Sequence, residues 1–204
     1  MDEDELGGER QLWNQRYSDP NRDDLPPSEF LLAHGRYLPR KGKALVVACG
    51  TGKNAIWLSE NLDVLAIDIS EVAIRIAREK ASKRIGPHEL HFEVADAKRY
   101  LLNLEGACFN VITIINYNEP MLVPQIKRIL APGGIIILQI YTPNDERLQN
   151  SGIKQKLITE SMLFEPSWFG SYWILDFETE HFIDNLNFKR ERLNFLARKP
   201  ISVY

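Results

Sequence analysis

Four short apolar runs and one further strand-like segment, 90–94, constrain this chain more than any other feature. They are 44–48 (ALVVA), 63–67 (DVLAI), 90–94 (LHFEV), 110–115 (NVITII) and 133–140 (GGIIILQI). Runs that are nearly continuous and rich in β-branched residues suit strands buried on both faces, as in a parallel sheet under helices; a sheet with one wet face would alternate. Helical segments fall between the runs. One is expected over 53–61, one after Ser70 with Val72, Ile76 and Ala77 as its apolar stripe, and one over 121–130. Strand–helix alternation of this kind builds right-handed βαβ units, hence an α/β, Rossmann-like, doubly wound sheet. The tail departs from the alternation, and 173–180 with 192–197 are expected to pair as an antiparallel hairpin at one sheet edge. Ahead of the sheet, 1–9 reads as a disordered lead-in, 10–17 (RQLWNQRY) as a short amphipathic helix and 18–27 as a loop. Ser28 is placed to cap a helix through Tyr37 that stops near Pro39.

With 204 residues the chain suits a single domain. The expected division is 1–37 for N-terminal lid helices and 38–204 for the sheet domain. Its net charge of −3 argues against bulk electrostatic binding of nucleic acid. Two cysteines, Cys49 and Cys108, without CxxC spacing exclude a disulfide scaffold or zinc module and point to a reducing cytoplasm. The acidic N-terminus has no apolar core of a signal peptide, and no apolar run is long enough to cross a bilayer. No metal site is expected, because His34, His88, His91 and His181 show neither metal nor triad spacing.

Ligands of a doubly wound sheet bind at the carboxyl ends of its strands. Gly50 and Gly52 follow the first run and allow a tight turn that a ligand can approach closely. The turn also fits the dinucleotide pattern GxGxxA through Ala55. Asp68 ends the second run, where a carboxylate can accept both hydroxyls of a ribose. Asp96 follows the third, where it can accept from the exocyclic amine of adenine. Carboxylates at two consecutive strand ends suit an adenosine lying across them. The plainer reading of each is a helix cap. Cys49 reads as a small buried residue. The aromatic set Phe164, Trp168, Phe169, Tyr172 and Trp173 is either an acceptor wall or packing. Arg75, Arg78, Lys80, Lys83 and Arg84 read as a solvated helix face.

The ordered set VVACGTGKNAIWL, AIDIS, VADA and LAPGGIIILQIYTP, with WNQRY before it and LNFLARKP after it, resembles the class I S-adenosylmethionine-dependent methyltransferases. It looks closest to the small tellurite-resistance-like and thiopurine-methyltransferase-like branch. The resemblance implies a seven-stranded sheet with a terminal antiparallel hairpin, S-adenosyl-L-methionine as cofactor and a small-molecule methyl acceptor. It implies that Ala48, Gly50 and Gly52 line the methionine part of the cofactor and that Asp68 holds the ribose. Ile69 would lie against the adenine, with Asp96 and Ala97 at the adenine edge. Ile115 and Asn116 would face the cofactor and the acceptor, and Trp13 and Tyr17 would lie over the cofactor. The chain departs from the family pattern at Val46, where many members carry an acidic residue, at Ala48, where glycine is common, and at Asn110 and Asn118, which replace an Asp and a frequent His.

No catalytic residue is identified. A soft or already ionised acceptor, a thiolate or a chalcogen oxyanion, needs no strong base, and the absence of an evident base favours one. The segment 148–156 is expected, with the N-terminal helices, to supply the lid. The protein is expected to be a monomer or homodimer without nucleic-acid or membrane partners. A nicotinamide-dependent oxidoreductase and a non-catalytic cofactor-binding protein on the same fold are the alternatives.

Overall fold

The computed structural model describes residues 3–19, 25–150 and 157–201, and of 3–6 the backbone alone. It divides into two compact units, Met1–Leu104 and Glu105–Tyr204.

In the first unit, helices α1 (Glu3–Tyr17) and α2 (Glu29–Ala33) precede β1 (Lys43–Val47), α3 (Lys53–Leu58), β2 (Asp63–Asp68), α4 (Glu71–Ala81), β3 (Leu90–Val94) and α5 (Ala97–Asn103). Ala44, Leu45, Val46 and Val47 are all buried, as expected of a strand covered on both faces. The lead-in is not disordered where it is described: residues 3–9 are helical and continuous with 10–17. The half-buried residues Arg10, Trp13, Asn14 and Tyr17 recur at i, i+3, i+4 and i+7, so α1 is held by one face. Ser28 caps α2 as expected, its Oγ accepting from Leu31 N at 3.2 Å. That helix stops at Ala33, and Gly35–Tyr37 forms a separate 3-10 turn. Helix α3 likewise ends at Leu58, short of the expected Asn61.

The second unit contains β4 (Phe109–Ile115), α6 (Val123–Ile129), β5 (Leu130–Tyr141), α7 (Glu146–Asn150), α8 (Glu160–Leu163), β6 (Trp173–Ile183) and β7 (Lys189–Arg198). Val111 to Ile114 and Ile135 to Leu138 are buried at every position. The seven strands follow the order β3-β2-β1-β4-β5-β7-β6. Pairing is parallel for β1–β2, β2–β3 and β4–β5 and antiparallel for β5–β7 and β6–β7. This is the Rossmann-like α/β architecture with an antiparallel C-terminal hairpin.

The Arg190 guanidinium is buried between two carboxylates, with Nε 2.7 Å from Asp145 Oδ2 and one terminal nitrogen 3.0 Å from Asp184 Oδ2. It also lies 4.1 Å from the Tyr141 ring centroid. Asp145 Oδ1 accepts from Leu148 N at 3.0 Å, so the same residue starts α7 and fixes it to β7.

Phe169, Tyr172 and Phe195 form a ring cluster, with centroids 5.3 Å and 5.6 Å from Phe169. Phe169 and Tyr172 are therefore packing residues, whereas Trp173 is exposed. Tyr172 Oη is buried with no hydrogen-bond partner among the described residues. Burial pushes its pKa from 10.0 up to about 12. An unpaired buried hydroxyl costs about 1–3 kcal/mol, so Tyr172→Phe is expected to raise unfolding free energy in urea. The unfolded chain loses this proton near 10.0 and the folded one holds it to about 12, so stability falls as pH rises across that window. The variant is expected to lose that part of the alkaline slope.

Candidate functional site

Leaving β1, the chain turns through Ala48, Cys49, Gly50, Thr51 and Gly52 into α3. Three of these residues are left-handed, with φ of 52° at Ala48, 55° at Gly50 and 82° at Gly52. A Cβ on Gly52 would lie 2.9 Å from the Ala77 Cβ and 2.9 Å from Phe92 Cε1, so the turn packs directly on α4 and β3. A Cβ on Gly50 would lie 2.7 Å from the Tyr17 hydroxyl, which places α1 over the turn. Ala48 adopts the same region with its Cβ present, at a cost of about 1–2 kcal/mol.

The turn is held by Asp68, a buried carboxylate at the tip of β2. Oδ2 accepts from Gly50 N at 2.8 Å and Oδ1 from Ser70 N at 2.9 Å. Ser70 Oγ in turn accepts from Ala73 N at 3.1 Å, capping α4, and donates to Asn14 Oδ1 at 2.7 Å. One chain of polar contacts thus runs from α1 through the start of α4 to the turn. Trp13 and Tyr17 lie on the same face of α1, ring centroids 6.0 Å apart, and the Arg16 guanidinium stacks on Trp13 at 4.8 Å. Burial, then the Asp68 charge, pushes the Cys49 thiol well above its ordinary pKa, which keeps it protonated and poorly nucleophilic.

On the neighbouring strand Val94 pairs with Asp68 in register, and Ala95 N donates to Asp68 O at 2.8 Å. Asp96 follows directly and is buried. Its Oδ1 accepts from Arg99 N at 2.9 Å, so it does cap α5, of which the buried Ala97 is the first residue. The first unit therefore brings Tyr17, Gly50, Gly52 and Asp68 together, with Ile69 half-buried beside Asp68 and with Asp96 and Ala97 past the next strand tip. Glycines without Cβ, a covering tyrosine and acidic groups at consecutive tips form a cradle that fits an adenosine-bearing cofactor.

In the second unit, Ile115 ends β4 half-buried and Asn116 is exposed with φ of 61°, its N–H donating to Gln139 O at 2.7 Å. Asn118 has a structural task that the sequence did not reveal. Its Nδ2 donates to Tyr141 O at 2.9 Å and its Oδ1 accepts from Ile158 N at 2.9 Å. One carboxamide thereby joins both ends of the excursion that leaves β5. Of the expected lid segment, 151–156 lies outside the described residues.

The histidines are each near a carbonyl or carboxylate: His34 with Phe30 O at 2.7 Å, His88 with Asp63, His91 with Glu89 and His181 with Glu191. Of the basic set expected on one helix face, Arg75, Arg78 and Lys83 are exposed as read, while Lys80 and Arg84 are half-buried and Lys83 and Arg84 lie past the end of α4. Arg78 donates to Phe92 O, Lys80 to Thr51 Oγ1, and Arg84 to the carbonyls of His88 and Ser59. Asn14 was findable in WNQRY, since it is three residues before Tyr17 and so on the same helical face.

Residues 44–134 match the protein family described as "Methyltransferase domain". A search of the curated proteins gives no match. Several solved structures share the fold. N-methyltransferase NodS from Bradyrhizobium japonicum WM9, in complex with S-adenosyl-L-homocysteine, is 14% identical, with 94% of this chain and 98% of that chain covered and a TM-score of 0.67. A SAM-dependent methyltransferase from Methanosarcina mazei is 18% identical, with 87% and 100% covered and a TM-score of 0.63. A protein of echinomycin biosynthesis, where a disulfide bond is converted into a thioacetal group, is 18% identical, with 95% and 94% covered and a TM-score of 0.68. Residues 44–134 thus match a methyltransferase domain, on a fold shared with S-adenosylmethionine-dependent methyltransferases.

Two outcomes follow from the turn. Gly50→Ala is expected to cost more than the roughly 1–2 kcal/mol of left-handed strain. Adding Tyr17→Phe should recover the clash component, measured as a non-additive double-mutant cycle in urea unfolding. Ala48→Gly is expected to stabilise by up to about 1 kcal/mol, because released strain exceeds the added unfolded-state entropy.

Proposed function

We propose that the chain is an S-adenosylmethionine-dependent methyltransferase, with S-adenosyl-L-methionine as its cofactor, that moves the methyl group to a small-molecule acceptor, a soft nucleophile or an oxyanion, as a member of the tellurite-resistance-like and thiopurine-methyltransferase-like branch. One observation carries the cofactor side of the reading: a buried Asp68 that fixes a left-handed glycine turn beneath Tyr17. When bound, S-adenosyl-L-methionine supplies an electrophilic methyl group on a sulfonium. Ala48, Gly50 and Gly52 would admit the methionine portion close to the backbone. Asp68 would orient the ribose, Ile69 would lie against the adenine, and Asp96 and Ala97 would meet its edge. Trp13 and Tyr17 would cover the cofactor and exclude water, which favours transfer to the acceptor over hydrolysis. In the second unit, Ile115 and Asn116 keep a proposed contact role that rests on their place at the end of β4. The division into 1–37 as lid and 38–204 as domain, a cytoplasmic location, a monomer or homodimer, and the lack of a nucleic-acid partner belong to the same proposal.

The acceptor class rests on the histidines, each of which already lies beside a protein oxygen, so none stands out as a base. A soft or ionised acceptor needs positioning more than deprotonation. The relatives include an N-methyltransferase and a protein from a thioacetal-forming pathway, so an acceptor panel should carry amines as well as thiols and chalcogen oxyanions.

Asp68→Ala is expected to weaken S-adenosylhomocysteine binding about ten- to hundredfold in calorimetry, the loss of a charge-assisted bond. Circular dichroism on the same sample checks that the sheet persists. Folded protein with wild-type affinity would remove Asp68 from the site. Labelled S-adenosylmethionine with the acceptor panel should methylate a thiol or oxyanion in preference to an amine or alcohol.

A further inference from the structure

The first unit holds a second concavity at the opposite end of β1 from the glycine turn. It has a volume of about 340 Å³, and Leu38, Leu58 and Leu62 give it apolar surface. That volume is within the range of small-molecule sites. Its polar groups are Arg36, Arg40 and Asn61, and no carboxylate lines it. Neither arginine pairs with a carboxylate among the described residues. Arg36 instead donates to the Tyr37 hydroxyl at 3.3 Å and lies over the Tyr37 ring at 5.0 Å, contacts that an anion in the cavity would have to share. The adjoining sequence, GRYLPRKGK over 35–43, carries four basic residues and no acidic one, in a chain whose net charge is −3.

Trp57 supplies the planar element. A Cβ on Gly35 would lie 3.2 Å from Trp57 Cη2, so the absence of a side chain at 35 lets the indole lie against the backbone. Trp57 is half-buried and lines the cavity. A tryptophan and two arginines around an apolar lining suit a flat apolar body bearing a negative charge.

We propose that this cavity binds a small planar organic anion, an aromatic carboxylate or sulfonate, as a site separate from the cofactor cradle. Charge recognition falls to Arg36 and Arg40, and Trp57 packs against the ring. About 16 Å of strand separates the two ends of β1, so a ligand here does not touch Asp68.

The test uses 1-naphthoate as probe on the full-length protein, by calorimetry and by the indole N–H signal of Trp57 in 15N-correlated spectra. Saturable binding is expected, with the Trp57 signal shifting along the same isotherm. Both arginines are exposed, so R36Q/R40Q should fold normally; it is expected to bind at least about tenfold more weakly, as should the neutral 1-naphthamide with the wild-type protein. Saturating S-adenosylhomocysteine should leave the naphthoate affinity unchanged. Equal affinity in the double variant, a static Trp57 signal, competition by S-adenosylhomocysteine, or no saturation at millimolar naphthoate would each overturn the site. Inorganic phosphate binding as tightly as naphthoate would overturn the planar requirement. These readouts need no methyl transfer, so the site stands or falls apart from the acceptor assignment.

Discussion

A single buried negative charge organises the first unit. Asp68 has little access to water, and a carboxylate in that setting must be met by donors. The donors are backbone N–H groups on either side: Gly50 in the turn after β1 and Ser70 at the start of α4. The charge therefore fixes the turn and the first residue before α4 at once. It also sits at the helix end that favours anions. Through Ser70 it reaches Asn14 and hence α1, the element that covers the turn. Asp68 thus serves the backbone on both sides of the turn before any other task.

The second unit handles its buried charge differently. Arg190 is met by Asp145 and Asp184 and by the Tyr141 ring, and the cluster fastens α7 to β7. Such a cluster is weak evidence of net stability, because two or three ions must be taken out of water together. What it supplies here is position. It sets where the chain goes on leaving β5, just as Asn118 sets where the chain returns at Ile158.

Much of this was legible from the sequence. The runs 44–48, 110–115 and 133–140 announced strands because β-branched residues without alternation have few other uses. The cap residues Ser28 and Ser70 were readable because capping is a local bond over three residues. Asp68 and Asp96 were readable as strand-tip carboxylates, and Asp96 also caps α5. The misses have a common cause in contacts distant along the chain. The acidic, polar stretch 1–9 reads as a disordered lead-in, whereas 3–9 are helical and continuous with the half-buried face from Arg10 to Tyr17. The break at His34 and Gly35 falls where Trp57 lies against the backbone. Asn118, read only as a missing histidine, is paired with Tyr141 and Ile158, and nothing local in the sequence points to either.

The carboxamide of Asn118 has an implication for how such a protein changes over time. It staples together the departure point at Tyr141 and the return point at Ile158, so one side chain holds both points at once. A substitution at 118 therefore frees two backbone groups together, whereas exposed positions such as Arg147 and Gln149 can change singly.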